Sequence, residues 1–310
     1  MSESGILHEG ARRVWKSQRI VWWFFLVNFL LALLTTRPLS ARLAQITDHS
    51  LHSQRLVNGF DLGAYSELTS NPDAAFGSAM GESNSAIFTF FIFALFLTGG
   101  ILATYHSYYK LTTAQFFEAC GAFFWRCVRL FLFMAIAVIP ICALSYELMA
   151  RSGRVVLDQG GPEKTGYGLM LATFLLTVFV LMSVRLWFDM AQVRAVVEDE
   201  RIMRRTLAQA FRLTSSNFVS LFWLYFSISF LAWLGLALGM WLWTRIPGRH
   251  SGLSFLVCEA VLLWWIGTRL WQRASEMVWY QRRALAVPVV APVVETAPPP
   301  ESPIGSLPTN

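Results

Sequence analysis

Six stretches of the chain are apolar over a length that can cross a bilayer: residues 20–36, 86–104, 122–146, 167–188, 218–244 and 252–271. A helix of about 20 apolar residues spans the roughly 30 Å of hydrocarbon. In that solvent every backbone N–H and C=O must be satisfied by the chain itself, so such runs fold as helices. The expected fold class is therefore all-α: a polytopic membrane helix bundle with six transmembrane helices and amphipathic cytoplasmic helices at 113–121 and 189–216. Composition agrees, with 55% hydrophobic and only 14% charged residues, where a soluble domain has nearer a quarter charged. The first run is short and follows Arg12, Arg13, Lys16 and Arg19, which also describes a signal peptide. The residues after it, Arg37 to Ala41, offer no small-x-small cleavage site, so a retained helix is expected.

The charged exception is the stretch Arg185–Asn217, between the fourth and fifth runs. It contains no Gly or Pro, which predicts one continuous helix. Val193, Val196, Val197, Met203, Leu207, Ala210, Phe211 and Thr214 recur at spacings of three and four and form one apolar stripe. Arg194, Arg201, Arg205 and Arg212, with Glu198, fall on another face. Glu200 precedes Arg204 by four residues, the favourable order for an ion pair. Two readings of this face stand: a solvated helix packed on the bundle, or a headgroup-layer helix whose Arg194, Arg201, Arg204, Arg205 and Arg212 contact anionic lipid or a protein partner. Ser215, Ser216 and Asn217 are positioned to cap the next span.

Elsewhere the signals are local. Thr112-x-x-Gln115 has the pattern of a capping box, opening a helix with the stripe Phe116, Cys120, Phe123, Phe124, Cys127 and Phe131. Arg126 and Arg129 can snorkel to the interface from that helix. Pro140 falls inside the third run and predicts a kink. Gly235-x-x-x-Gly239 permits close helix approach, expected within the chain. Residues 37–85 form the largest polar loop, on the periplasmic side. Its Asp48, His49 and His52 lack an established third ligand, so no metal site is assigned. The four cysteines, Cys120, Cys127, Cys142 and Cys258, lie in apolar runs without ligand spacing and read as small buried apolar residues. Residues 286–310 are Pro-rich and read as a disordered cytoplasmic tail. Glu259 in the sixth run and Asn28 in the first are the intramembrane polar candidates. A charge at that depth must find a partner or water.

With the N-terminus inside, the inner segments carry 17 Lys and Arg against 8 outside. That is the bias of the positive-inside rule, and it places both termini in the cytoplasm. Trp15, Trp22 and Trp23 at one interface, with Trp241 and Trp243 at the other, fit aromatic belts. The net charge of +6 comes from residues flanking apolar runs rather than from a compact basic domain, which argues against a nucleic-acid partner.

No GxxxxGK[ST], HExxH or GxSxG occurs in the chain, so no nucleotide, metalloprotease or nucleophile-elbow chemistry is indicated. No catalytic residue, metal ligand or cofactor is assigned. The chain resembles a broad group of uncharacterised bacterial six-span membrane proteins, similar to the membrane domain attached to glycerophosphoryl diester phosphodiesterases. Asp189, Arg194, Val196, Val197 and Glu198, then Ala210, Phe211 and Asn217, carry the resemblance, with Phe116 through Cys120 and Phe124 to Arg126. The resemblance implies a bacterial inner membrane and supplies no catalytic residues, since the phosphodiesterase domain is lacking. Residues 113–146 and 190–244 repeat an inner helix and then a span in one orientation, whereas inverted repeats would point to a secondary transporter. The expected function is a non-enzymatic scaffold or accessory protein acting through its basic inner face. The alternative is a permease or channel for a small solute or lipid, which requires a polar cavity lined by Glu259 or Asn28. An intramembrane enzyme ranks last.

Overall fold

The computed structural model describes residues 3–47, 63, 66, 76–107, 111–158, 163–246 and 250–285. Eight long helices hold nearly all of them: α1 Glu3–Lys16, α2 Gln18–Thr47, α3 Phe76–His106, α4 Thr113–Asp158, α5 Glu163–Val197, α6 Met203–Ser216, α7 Phe218–Arg245 and α8 Ser251–Arg283. No strand occurs among the described residues. Six helices, α2 to α5 with α7 and α8, contain windows long and apolar enough to cross a membrane. The chain is thus an all-α, multi-pass membrane bundle. Most of the 37–85 loop, including Asp48, His49 and His52, and the 286–310 tail lie outside the described residues.

Several helices are longer than the bilayer requires. At 1.5 Å per residue, the 46 residues of α4 run for roughly 69 Å, more than twice the hydrocarbon thickness. Their excess builds a solid base at one end of the bundle. The buried side chains gather there: Leu97, Ile101, Leu102 and Tyr105 of α3, Phe116, Cys120, Cys127 and Leu130 of α4, Leu186 to Val196 of α5, and Leu270 to Tyr280 of α8. Beyond this base the same helices turn apolar side chains outward, among them Leu132, Ile136, Ile139, Leu171, Phe174, Leu175 and Leu256. The division has a physical cause. Lipid tails are as apolar as leucine, so inside hydrocarbon the hydrophobic effect does not favour burying side chains, and packing there rests on close contact alone.

Local signals explain the ends of the elements. The capping box forms, with the Thr112 N–H donating to Gln115 Oε1 at 3.0 Å and the Gln115 N–H to Thr112 Oγ1 at 3.3 Å. Helix α4 then continues unbroken through Pro140, so the inner helix and the third span are one element. The stripe on its first turns packs on α3 at closest approach. A Cβ on Gly100 would lie 2.4 Å from Cys120 Sγ. Gly235 and Gly239 serve α7 in the same way against Trp264 and Val261 of α8, which makes that pair an intrachain contact.

Three expectations are corrected. Arg185–Asn217 is not one helix, because α5 stops at Val197 and α6 starts at Met203. Three acidic residues in a row, Glu198–Asp199–Glu200, oppose the negative end of the α5 dipole. Asp199 takes a left-handed φ of 49°, a conformation in which Asp is enriched among non-glycine residues. Arg126 Nη1 donates to its carboxylate at 2.6 Å, so Arg126 fastens this corner to α4. That bond holds the Asp199 carboxyl below the usual aspartate range. Second, the buried stripe of α6 is Met203, Thr206, Ala210 and Thr214. Phe211 faces outward, its ring edge-on to Trp187 at 5.1 Å. Third, Cys142 and Cys258 are exposed on the apolar surface, and only Cys120 and Cys127 are buried.

The base is closed by α1. Trp271 Nε1 donates to the Leu7 carbonyl at 2.8 Å, and a Cβ on Gly10 would lie 2.2 Å from Ser275 Oγ. Arg13 bonds to the Tyr105 carbonyl at 2.5 Å and to Gln281 Oε1 at 2.9 Å. Glu9 is shared between Arg13, at 2.8 Å, and Arg282.

Candidate functional site

Charge is concentrated just above the base, where apolar spans meet packed core. On α5, Arg185, Asp189 and Gln192 follow at spacings of four and three, and so share one face. On α8, Arg269, Gln272, Arg273 and Glu276 do the same. The two faces meet. Arg269 Nη2 donates to Asp189 Oδ2 at 3.3 Å and Arg269 Nη1 to Gln272 Oε1 at 2.7 Å. Arg185 Nε lies 3.9 Å from Asp189 Oδ2. Arg273 Nη1 donates to Thr98 Oγ1 of α3 at 2.9 Å. Asp189 is 5% and Glu276 1% exposed. Two guanidinium groups, Arg269 and Arg185, thus meet the Asp189 carboxylate, and Arg273 shares their side of the bundle.

The hydrogen bonding of this cluster is incomplete. Both Glu276 carboxylate oxygens, Arg273 Nε, Gln272 Nε2, Ser275 Oγ and the Tyr105 hydroxyl are buried without a protein partner. Buried polar groups are normally bonded, because leaving one unpaired costs about 1–3 kcal/mol, more when it is charged. Of these groups, Arg273 and Gln272 also line the neighbouring cavities.

Two cavities border the cluster. The larger, about 490 Å³, is walled by Phe24, Phe90, Phe91, Leu95, Phe131, Met134, Val138 and Ile266, and floored by Thr98, Arg185, Asp189, Gln192, Arg269 and Arg273. The smaller, about 280 Å³, lies between α5, α7 and α8, with Met182, Tyr225, Ile228, Trp233 and Gln272 in its lining. Leu181, Arg185, Trp265 and Arg269 line both. The larger volume falls in the range of small-molecule sites, which are mostly apolar with a few convergent polar groups.

Apart from Asp189, the residues singled out by sequence lie elsewhere. Arg194 is paired with Glu198 at 2.8 Å on its own helix, and Glu198 accepts from the Tyr280 hydroxyl. Arg201, Arg204, Arg205 and Arg212 are exposed on and beside α6. Glu200 pairs with Arg205 at 3.6 Å instead of Arg204. Asn217 opens α7 without a side-chain cap, its amide donating back to the Leu213 carbonyl at 3.2 Å. Glu259 and Asn28 are half-buried and line neither cavity. Glu259 Oε2 is itself buried without a partner. The groups that do converge were legible as helical spacing: Arg269, Gln272, Arg273 and Glu276 repeat at the period of one helix face. Arg185 and Asp189, one turn apart on α5, show the same spacing, and the pair forms at 3.9 Å.

A wider groove of about 980 Å³ opens on the base, lined by His8, Arg12, Arg13, Lys16, Arg19, Tyr105 and Arg282 among others. Arg13 and Arg282 there are engaged with Glu9, and Arg19 donates to the Leu111 carbonyl. Comparisons of the chain with family models, with curated proteins and with solved structures return no match.

Proposed function

We propose that this is a non-enzymatic protein of a bacterial inner membrane that binds a membrane-soluble amphiphile with an anionic head. The base, with α1 and α6, faces the cytoplasm, as the distribution of Lys and Arg requires. The chain then belongs with the lipid-handling reading, ahead of a scaffold acting through the basic face of α6. The observation that carries this choice is the larger cavity. Its walls are aromatic and aliphatic and its floor holds Arg185, Arg269 and Arg273. An acyl chain matches the walls, and an anionic head matches guanidinium groups with unused donors. The floor lies where the spans meet the base, the depth at which inner-leaflet head groups sit. The resemblance to bacterial six-span proteins is part of this proposal and contributes the location only.

The test is native mass spectrometry of the full chain released from mild detergent, with lipid analysis of what remains bound. The expected result is about one acidic amphiphile per chain, enriched over the bulk membrane. Substituting Arg185→Gln with Arg273→Gln removes it. Val138→Trp fills the cavity, leaves the charges in place and removes it too. A bound-lipid profile equal to the bulk membrane in all three proteins overturns the reading.

A further inference from the structure

We propose that the amphiphile is a two-chain acidic lipid, with its head on Arg185 and Arg269 and one acyl chain in each of the two cavities. The inference rests on the amphiphile reading above and adds the class of ligand, through a cavity that the reading does not use.

The two cavities share a wall. Leu181 and Arg185 of α5 line both, as do Trp265 and Arg269 of α8. Within each pair the residues stand one helical turn apart and share a face. The wall therefore has two levels, an apolar one of Leu181 with Trp265 and a cationic one of Arg185 with Arg269. Both helices run toward the base, where Leu186 and Leu270 are buried, so the cationic level is the one nearer the base. The Arg185 side chain is 48% and that of Arg269 26% exposed, which leaves both within reach of a ligand.

Helix register grades the two cavities in the same sense. In the smaller one, Tyr225, Thr268 and Gln272 lie toward the base, and Val178, Ala232 and Trp233 lie away from it. In the larger one, Thr98, Asp189 and Arg273 lie toward the base, and Phe90, Phe91 and Val138 lie away from it. Each polar end also carries an unused donor. Gln272 Nε2 on the smaller side and Arg273 Nε on the larger are buried without a partner among the described residues.

A single chain would fill one cavity and leave the other without contacts along its lining. A two-chain lipid matches both, because its chains leave one head in the same direction, as the two cavities leave one pair of guanidinium groups. From Arg185 to Val178 the α5 face covers roughly 10 Å, less than the roughly 15 Å of one leaflet's hydrocarbon, so the chain ends continue into the bilayer. The anionic head accepts from the guanidinium groups. The ester carbonyls beside it accept from Gln272 and Arg273.

The experiment is native mass spectrometry of the full chain in mild detergent. Dipalmitoyl phosphatidate, palmitoyl lysophosphatidate and dipalmitoyl phosphatidylcholine are offered at equal concentration. The first two share a phosphate head and differ by one chain, and the last has two chains and no net charge. The expected result is one phosphatidate per chain, preferred over lysophosphatidate by about tenfold or more. Ser229→Trp and Ala232→Phe each fill the smaller cavity from α7 and leave the arginines and the larger cavity in place. In these variants phosphatidate binding falls to the level of lysophosphatidate or below it, while lysophosphatidate is still bound, which also shows that they are folded. Lysophosphatidate bound by wild type as tightly as phosphatidate overturns the two-chain inference and leaves the amphiphile reading standing. So does a phosphatidate preference that survives either substitution, or loss of both acidic lipids from both variants. Phosphatidylcholine bound by wild type as well as phosphatidate, or no binding of either acidic lipid, overturns both.

Discussion

Substituting Asp189→Asn tests whether the ionic cluster holds the bundle together as well as lining the cavity. Asparagine keeps the shape and removes the charge that Arg269 meets at 3.3 Å and Arg185 at 3.9 Å. Breaking one partner of a buried ion pair costs about 3–5 kcal/mol. Arg269 retains its bond to Gln272 at 2.7 Å, and its side chain is 26% exposed. Both soften the loss, and the expectation becomes about 2–3 kcal/mol. Reversible unfolding in mild detergent should register this directly, with a thermal midpoint lower by roughly 5–10 °C. Arg269→Gln and the double variant complete a cycle whose coupling should reach at least about 1 kcal/mol. An Asp189→Asn protein within about 0.5 kcal/mol of wild type, or strictly additive single changes, refutes the reasoning.

Two further predictions concern the frame around the site. Gly235→Ala should destabilise by about 1–3 kcal/mol through overpacking, because its Cβ would lie 2.0 Å from Trp264 Nε1, which donates to the Leu231 carbonyl. Gly168→Ala, where a Cβ meets nothing within 4 Å, serves as the control and should be neutral or mildly stabilising in the same unfolding assay. The attachment of α1 should depend on pH through Glu9. Burial acts to raise its carboxyl, but Arg13 and Arg282 outweigh that and hold it below the ordinary value of 4.5. A lowered folded-state value means that the contribution is present above 4.5 and is lost as pH falls through the lowered value. Hydrogen exchange over Leu7–Val14 in nanodiscs should therefore rise on acidification, and Glu9→Gln should show that faster exchange at neutral pH. Equal protection in all conditions would mean that the pair does not hold α1.

The membrane architecture was legible because hydrocarbon imposes length and polarity directly on sequence. The Thr112–Gln115 capping box and the Gly235–Gly239 approach were legible for a similar reason, since each is fixed by neighbours on one or two helices. The break after Val197 carries neither of the usual helix stops, Gly or Pro. The acidic run Glu198–Glu200 does the same work through the dipole, with Arg126 holding Asp199 from 73 positions away. The cluster was missed for a different reason. A tally of basic residues treats every flanking arginine as interfacial, yet α5 and α8 run on past the length that hydrocarbon requires and bury their continuation. Arg269, Arg273 and Glu276 then belong to an interior that composition does not reveal. Glu259 drew attention because it stands within an apolar run, but the cavity that formed lies nearer the base.

The most direct measurement is an experimental density map of the full chain in nanodiscs of native lipid, read in the space between Phe91, Phe131, Leu181 and Trp265. The account predicts elongated density filling that space, its head within hydrogen-bond reach of Arg185, Arg269 and Arg273. Side chains collapsed into the space, or density whose head points away from those guanidinium groups, would contradict it.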